Sequence, residues 1–478
     1  MLEMRTCHLI IGSGPGGAIT AALLAEAGRD VLLCEEGASL PLESCEPFGQ
    51  QEMVQKYRSR GMTVAIGAPK VAYVEGAVVG GGSEVNSALY HRTPADALQR
   101  WRERWRVDGL GDHELLDLFV QNEADVTVQL IPGDRKPLAS MALHEGALSL
   151  GWQSMEVPRW FSFDGTVDCF GVPVGKRQSM SRTFVPRFLK AGGALRDRVR
   201  ITRIERSGRQ WLAFGECQGR PLRVRADTVH VCCGATGTAA LLRRSGIRRG
   251  VGERLLMHPT IKMVARFNSQ VNGRAAGVGV HQVKQFSPRI SLGSSISSPA
   301  YLKLAMLDYP RHQHLVENQW ESMSVYYAMV AGGGHGKVTC LPCVDAPLVR
   351  YAMDKRGLGD LAYGLYVLGK ALFAAGAVEL FPSLRGFNEP IRSVDELSRL
   401  PAMLPKRHAQ LMTIHLFGSC PMSGDGVEAP CDSFGKVRGQ EGLYVNDGSL
   451  LCDAPGVNPQ GTIMMLARRN TFNFLERT

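Results

Sequence analysis

The sequence has no long uninterrupted apolar run, no cluster of cysteines and no block of lysine and arginine. Its most apolar stretch, residues 361–380, contains Lys370 and several glycines, which predicts a buried helix rather than a membrane span. The first residues show no apolar core of a secretory signal, so we expect a cytoplasmic protein without a membrane span. The 12 cysteines are scattered, several of them in apolar runs, which is typical of free thiols in a reducing compartment.

The absence of a lysine and arginine block also limits which binding partners the net positive charge can indicate. The chain carries 55 Lys and Arg against 45 Asp and Glu, a formal net charge of +10. Because the charges are dispersed and no nucleic-acid-binding module is visible, we interpret them as a solvated surface and expect no nucleic-acid partner. An acidic partner, an anionic substrate and loose polyanion binding are the alternatives. Cys340 and Cys343 form a lone CxxC pair without a second pair of ligands, so no metal site is predicted.

The order of apolar segments indicates the fold. A strand-like run at 6–11, a helical segment at 17–27 and a second apolar run at 31–34 follow one another within about thirty residues, which is the opening of a doubly wound sheet. Further strands are expected at 199–204 and 222–233. A short helix follows the second of these.

The middle of the chain has a different pattern. Residues 258–350 contain several strand-like runs with few helices between them, which predicts a mostly antiparallel sheet. A helix at 358–380, a buried strand at 443–447 and a closing helix at 461–475 follow. We therefore predict an α/β chain with a discontinuous Rossmann-like nucleotide domain and an inserted substrate domain. The expected limits are 1–150 and 151–257 for the first two parts of the nucleotide domain, 258–410 for the substrate domain, and 411–478 for the C-terminal part of the nucleotide domain.

Residues 12–17 read GSGPGG and stand between the first strand and the first helix. In such a fingerprint Gly12 permits the tight turn, Gly14 lets the backbone approach a pyrophosphate, and Gly17 lets the helix pack on the strand. The pyrophosphate then lies at the N-terminus of the helix, where free N–H groups favour an anion. Glu35, at the end of the next strand, is placed to bind ribose hydroxyls, with Glu36 as the alternative. The motif does not separate FAD from NAD.

Two further blocks carry more specific information. Residues 79–86 read VGGGSEVN, and the C-terminal part contains TIHLFGSC at 413–420, GLYVNDGS at 442–449 and GVNPQGT at 456–462. Together with the glycine fingerprint, these blocks resemble the glucose–methanol–choline (GMC) oxidoreductase family. The resemblance is greatest to its cholesterol oxidases and long-chain alcohol oxidases. Residues 181–186 and 232–259 support it, whereas 258–350 carry little recognisable sequence.

The resemblance implies FAD-dependent oxidation of an alcohol. His415 occupies the position of the base that takes the hydroxyl proton while hydride passes to flavin N5, a task suited to an imidazole. Asn458 occupies the second catalytic position and would bind the substrate oxygen. His258 is interpreted as structural.

The resemblance also implies the cofactor contacts and the partners. Val85 stands where some members attach FAD through a histidine, so we expect non-covalent FAD. The partners are then a small-molecule alcohol and oxygen or another electron acceptor. The expected FAD-binding residues are Gly12, Gly14, Gly17, Glu35, Gly81, Ser83, Asn86, Ile201, Gly234, Asp447, Gly448 and Thr462.

Several alternatives stay open at this point. A lyase on the same fold would keep the histidine without net redox change, and a non-catalytic nucleotide-binding protein would not explain His415 and Asn458. A sterol, a fatty alcohol, a sugar, an aminocyclitol and an intermediate of secondary metabolism all remain as substrates.

Overall fold

The computed structural model describes residues 1–274, 276–342 and 344–478, so Cys343 of the CxxC pair lies outside the described residues. The strands are β1 (Leu2–Ile11), β2 (Val31–Cys34), β3 (Thr63–Ala65), β4 (Val71–Tyr73), β5 (Val128–Gln129), β6 (Ser154–Glu156), β7 (Arg159–Val167), β8 (Pro173–Arg177), β9 (Ala194–Arg196), β10 (Val199–Ser207), β11 (Gln210–Cys217), β12 (Arg220–Val231), β13 (Leu256–Met257), β14 (Thr260–Phe267), β15 (His281–Val283), β16 (Ile290–Ser294), β17 (Met323–Val330), β18 (Gly334–Thr339), β19 (Leu348–Met353), β20 (Ala377–Pro382), β21 (Leu411–Thr413), β22 (Leu416–Phe417) and β23 (Leu443–Val445). The α-helices are α1 (Pro15–Glu26), α2 (Gln50–Lys56), α3 (Ala95–Arg104), α4 (Asp112–Asp125), α5 (Leu138–Ser149), α6 (Phe184–Lys190), α7 (Gly234–Arg244), α8 (Pro299–Ala305), α9 (Gln313–Gln319), α10 (Lys355–Ala374) and α11 (Gln460–Arg477).

A seven-stranded sheet is built from both ends of the chain. Its order is β10-β11-β12-β1-β2-β9, with β23 beside β12. The strands β12, β1, β2 and β9 are parallel neighbours, and β10 and β11 extend the sheet in antiparallel fashion. The helices α1 and α6 pack together, and α1 also packs against α11. The predicted α/β fold, with a discontinuous Rossmann-like sheet, is confirmed.

A nine-stranded sheet is the second large sheet of the molecule. Its order is β3-β4-β21-β14-β17-β16-β15-β6, with β20 beside β14, and only the pair of β4 and β21 is parallel. The sheet takes in β3, β4, β6 and β21, which come from segments outside residues 258–410. The domain limits stay a prediction. The strands of this sheet come from a wider range of the chain than the expected substrate domain, 258–410.

The expected helix at 358–380 is wrong at its end. The side chain of Asp354 accepts a hydrogen bond from the Gly357 N–H (2.6 Å) and so caps α10, which ends at Ala374. Gly376 has a φ of +88°, a left-handed conformation that stops the helix. The apolar residues after it form β20, which pairs with β14. The helix α10 covers one face of the nine-stranded sheet.

No helix in the described ranges is both long enough and apolar enough to cross a bilayer.

Candidate active site

The glycine fingerprint forms a tight turn between β1 and α1. Gly12 has a φ of +98°, and a Cβ added there would lie 2.3 Å from the Cys232 carbonyl oxygen. A Cβ on Gly17 would lie 1.8 Å from the Gly12 carbonyl oxygen. A Cβ on Gly14, in contrast, would meet no atom within 4 Å. The backbone is therefore closely packed against other protein atoms at Gly12 and Gly17 and open at Gly14.

The open side of the turn suits an anion. Gly14 is the N-cap of α1, Pro15 follows it, and the first turn of the helix holds no acidic residue. Free N–H groups and the helix dipole favour negative charge at such an end. The loop at 79–86 lies directly on this turn, because the Gly80 N–H donates to Ser13 Oγ (2.9 Å) and a Cβ on Gly81 would lie 2.8 Å from Gly14 Cα. This backbone fits the pyrophosphate of a dinucleotide.

Glu35 is buried and binds the same turn. Its Oε2 accepts hydrogen bonds from the Ser13 N–H (2.9 Å) and hydroxyl (2.8 Å), and its Oε1 accepts one from the Gly37 N–H (2.9 Å). Burial raises the pKa of this carboxyl group, and these hydrogen bonds oppose the shift. A carboxylate oxygen accepts about two hydrogen bonds, so Oε1 keeps a free position for a ribose hydroxyl. That contact stays a prediction.

Arg58 and Glu75 form a charged cluster beside this region that the sequence motifs did not indicate. The Arg58 guanidinium pairs with Glu36 and lies 3.4 Å from Glu75 Oε2. The Thr236 hydroxyl donates to Glu75 Oε1 (2.7 Å), and burial raises the pKa of this carboxyl group while Arg58 lowers it. Glu36, the alternative to Glu35 for the ribose, is therefore held in an ion pair.

The carboxylate of Asp447 accepts hydrogen bonds from other protein groups. Its Oδ2 accepts hydrogen bonds from the Gly234 N–H (2.8 Å) and the Thr238 hydroxyl (2.5 Å). Its Oδ1 accepts one from the Ser449 N–H (2.7 Å) and another from the Ser449 hydroxyl. The side chain thus ties the turn that follows β12 to the segment at 448–450. Because both carboxylate oxygens of Asp447 accept internal hydrogen bonds, we expect the backbone of Asp447 and Gly448 to contact the cofactor. This contact stays a prediction.

The loop at 79–86 is fixed from two sides. The Ser83 hydroxyl donates to the Gly80 carbonyl (2.7 Å) and accepts from the Met180 N–H (3.0 Å), so its hydrogen bonds shape the loop. Asn86 Nδ2 donates to Gln460 Oε1 (3.3 Å), which connects the loop to the first turn of α11. The two segments that carry the GMC-like motifs are therefore in direct contact.

Two remaining residues of the expected cofactor set occupy separate places. The Val199 N–H donates to the Glu35 carbonyl (2.8 Å), so β10 begins beside Glu35 and places Ile201 at that end of the sheet. Thr462 is fully buried on α11, where its hydroxyl accepts a hydrogen bond from Thr93 (2.8 Å). A structural role accounts for the Thr462 side chain, and its contact to FAD stays a prediction.

His415 and Asn458 lie side by side. His415 stands between β21 and β22, and its Nε2 is 3.3 Å from Asn458 Nδ2. On its other side, His415 Nδ1 is 3.0 Å from His258 Nδ1. His258 directly follows β13, which pairs with β22, so strand pairing brings the two histidines together. The interpretation of His258 as structural misses this contact with the expected base.

The hydrogen bonds around the two imidazoles compete for protons. The Gly456 N–H donates to His258 Nε2 (3.2 Å), which demands a bare nitrogen there. Only one proton fits between the two Nδ1 atoms, and Asn458 Nδ2 demands a bare Nε2 on His415. A neutral pair carries two protons, one more than these contacts accept. With the nitrogen of Asn458 facing His415, one proton must therefore face a donor, either at Gly456 or at Asn458.

Burial keeps both rings neutral near pH 7. It lowers the pKa of His415 to about 4, and no carboxylate contributes to this shift. The pKa of His258 is well below its ordinary value because of burial and the neighbouring His415. A neutral imidazole with a bare nitrogen can accept a proton. Within the described ranges, no group of three or more His, Cys, Asp or Glu side chains is arranged to hold a metal ion.

Comparison with known proteins identifies the family and the fold. Two family profiles described as GMC oxidoreductase match residues 43–260 and 345–467. A GMC-type oxidoreductase of Sinorhizobium fredii is 37% identical, over 98% of this chain and 94% of the relative. A long-chain-alcohol oxidase of Arabidopsis thaliana is 24% identical over 96% of this chain, which spans 65% of that relative. The crystal structure of pyridoxine 4-oxidase from Mesorbium loti has the same fold, with a TM-score of 0.74, 17% identity, and coverage of 98% of this chain and 99% of that one. The expected family is confirmed, and the chain belongs to the GMC oxidoreductases.

Proposed function

We propose that this oxidoreductase oxidises the CH–OH group of a small-molecule alcohol to an aldehyde or ketone, with non-covalent FAD and with His415 as the base. The observation that carries the proposal is the contact of a neutral, buried His415 with the amide of Asn458, at 3.3 Å. The Arabidopsis relative is a long-chain-alcohol oxidase, which supports an alcohol as the electron donor.

The residues around the glycine turn would hold the cofactor. The backbone at Gly14 and Gly81 would receive the pyrophosphate, and Glu35 Oε1 would accept a ribose hydroxyl. Residue 85 is a valine, whose side chain has no nucleophilic atom to form a covalent link to the flavin. FAD, when bound, supplies the acceptor for the hydride, which carries both electrons of the oxidation.

The two polar side chains of the site would act on the hydroxyl group. His415 Nε2 would take the hydroxyl proton, which leaves as the carbinol carbon gives up its hydride. Asn458 Nδ2 would donate a hydrogen bond to the substrate oxygen and stabilise its growing negative charge. Because only 9% of His415 is exposed, water competes weakly for this proton. The final electron acceptor is oxygen or another oxidant.

The test compares His415→Gln with the wild type. Flavin content is measured first, and reduction of the bound flavin by a panel of alcohols without oxygen is measured second. We expect His415→Gln to keep its FAD and to reduce it about 100- to 10,000-fold more slowly, the usual contribution of a general base. His335→Gln, at an exposed position, is the matched control.

Three outcomes contradict the proposal. Near wild-type flavin reduction in His415→Gln removes His415 as the base. A wild-type protein that cannot bind FAD removes the cofactor and with it the reaction class. Turnover of an alcohol derivative without any bleaching of the flavin indicates a lyase instead.

A further inference from the structure

A line of hydrogen bonds leads from Lys284 to the proposed base. Lys284 Nζ donates to Gln282 Oε1 (2.6 Å), and Gln282 Nε2 donates to Asn458 Oδ1 (3.2 Å). Asn458 Nδ2 then faces His415 Nε2 (3.3 Å). Gln282 lies on β15 and is 1% exposed, in the part of the chain that carries no recognisable motif.

The lysine fixes the direction of this line. An ammonium group only donates, so the oxygen of Gln282 must face Lys284 and its nitrogen must face Asn458. An amide nitrogen also only donates, so the oxygen of Asn458 faces Gln282 and its nitrogen faces His415. Gln282 Nε2 also contacts the Tyr327 hydroxyl (3.2 Å), which accepts from it. Reversal of either amide would place two donors or two acceptors in contact.

Among the described residues, Lys284 has no competing partner of opposite charge. Its other hydrogen bond goes to the Ser291 hydroxyl (3.3 Å), and no carboxylate of the described residues lies within 4.0 Å of Nζ. Burial lowers the pKa of Lys284 to about 8, so the ammonium form still prevails at pH 7. The bond to Gln282 is therefore charge-assisted, whereas the Gly456 N–H at the His258 end is a neutral donor.

We propose that Lys284 and Gln282 are positioning residues, which orient the Asn458 amide so that its nitrogen faces His415 and keeps the proton of that ring on Nδ1. The proposal rests on the proposed function. The orientation set by Lys284 decides the competition for protons: the proton of His415 stays on Nδ1, and that of His258 lies on Nε2, facing Gly456. His415 Nε2 is then bare and able to accept the hydroxyl proton, and Asn458 Nδ2 is aimed at the same oxygen.

The variant Gln282→Glu reverses the direction of the line while it keeps the shape of the side chain. Its carboxylate accepts from Lys284 on one side and can only accept from Asn458 on the other. Asn458 must then turn its nitrogen towards residue 282 and its oxygen towards His415, which draws the ring proton to Nε2. Gln285→Glu is the matched control, because Gln285 is exposed on the same segment and its Oε1 already acts as an acceptor, from the Gln153 N–H (3.1 Å).

The first measurement is the ¹⁵N spectrum of the histidine rings, with His415→Gln for assignment. We expect a bare Nε2 on His415 in the wild type and in Gln285→Glu, and a protonated Nε2 in Gln282→Glu. This readout needs no substrate. It stays decisive even if no alcohol reduces the flavin, an outcome that would contradict the proposed function alone. The same tautomer in Gln282→Glu and in the wild type overturns the positioning role.

The second measurement is flavin reduction without oxygen by an alcohol that reduces the wild type. We expect Gln282→Glu to lower the limiting rate at least about tenfold with little change in the substrate concentration that gives half of it. Lys284→Met should lower this rate as well, and Lys284→Arg, which keeps a donor-only cation, should restore most of it. In an Asn458→Ala background, Gln282→Glu should cost nothing further. Equal losses with and without the Asn458 amide would show that Gln282 acts by another route.

Discussion

The environment of His415 predicts an unusual pH dependence. Its pKa is lowered to about 4 by burial, and the ring must be neutral to accept a proton. The limiting rate of flavin reduction should therefore be independent of this ionisation between about pH 5 and about pH 8, and should fall only as the pH drops through about 4. Stopped-flow measurements without oxygen test this. The flavin spectrum at each pH controls for unfolding, and an acid limb centred near the ordinary histidine value of 6.5 would contradict it.

Individual residues differ in how far the sequence could indicate their roles. The glycines stand in a fingerprint whose spacing is itself the signal, whereas His415 and Asn458 were indicated by the resemblance of their blocks to the GMC family. Lys284 and Gln282 have no such signal, because their positions depend on the pairing of β15 with β16 and with β6, which is distant along the chain. Asp447 shows a different limit, since its motif indicated a cofactor contact while its carboxylate accepts four internal hydrogen bonds.

At the scale of elements, two glycines of the turn between β1 and α1 have different expected roles: Gly17 in the stability of the fold and Gly14 in the binding of FAD. Gly17→Ala places a Cβ 1.8 Å from the Gly12 carbonyl oxygen, so we expect a loss of about 1 to 3 kcal/mol of unfolding free energy, or more. Gly14→Ala meets no protein atom within 4 Å and needs only a φ of −59°, which alanine readily adopts. Its methyl group points into the expected position of the pyrophosphate, so FAD affinity should fall about tenfold or more at nearly unchanged stability of the cofactor-free protein.

Urea denaturation of the cofactor-free protein and fluorescence titration with FAD measure the two effects separately. Wild-type FAD affinity in Gly14→Ala would contradict the placement of the pyrophosphate at this turn. Wild-type stability in Gly17→Ala would contradict the tight packing of α1 on β1.

The elements that the sequence could predict are those with a strong local pattern. The opening β1–α1–β2 unit combines apolar runs with a glycine turn. The observed bounds of α1 and β2 lie within two residues of the expected ones, whereas β1 begins at Leu2 instead of residue 6. The end of α10 was misplaced because the residues after Gly376 are as apolar as the helix, and only the left-handed backbone at Gly376 separates helix from strand. Strands of three residues such as β3, β4 and β21 are too short to show a periodicity, and their pairing is set by contacts across the chain.

At the scale of the whole molecule, buried ionisable groups of both kinds act on acid stability. Burial raises the pKa of Glu35 and Asp447, and such groups take up protons more readily in the folded state, which stabilises it as the pH falls. Buried histidines have the opposite effect, because burial lowers the pKa of His230 to about 3 and that of His281 to about 4. The net pH dependence is a sum of opposing contributions, so a single residue is best tested through the difference between a variant and the wild type.

His230 offers the sharpest such test. Its ring is 2% exposed and lies against Tyr444 and Phe474 at centroid distances of 4.9 and 5.0 Å. Its Nε2 has no hydrogen-bond partner among the described residues, so a phenyl ring keeps an aromatic side chain there and removes no hydrogen bond at that atom. Below the ordinary pKa of 6.5 the unfolded chain binds a proton at this residue that the folded chain refuses, so His230 destabilises the fold as the pH falls. His230→Phe should therefore reduce the loss of unfolding free energy between about pH 7 and pH 5 by about 2 kcal/mol relative to the wild type. Urea denaturation at both pH values measures this difference, with His113→Phe as the control because the His113 side chain is 92% exposed. An equal pH dependence in His230→Phe and in the wild type would mean that His230 is protonated as readily in the folded state as in the unfolded one, and burial would then not explain its behaviour.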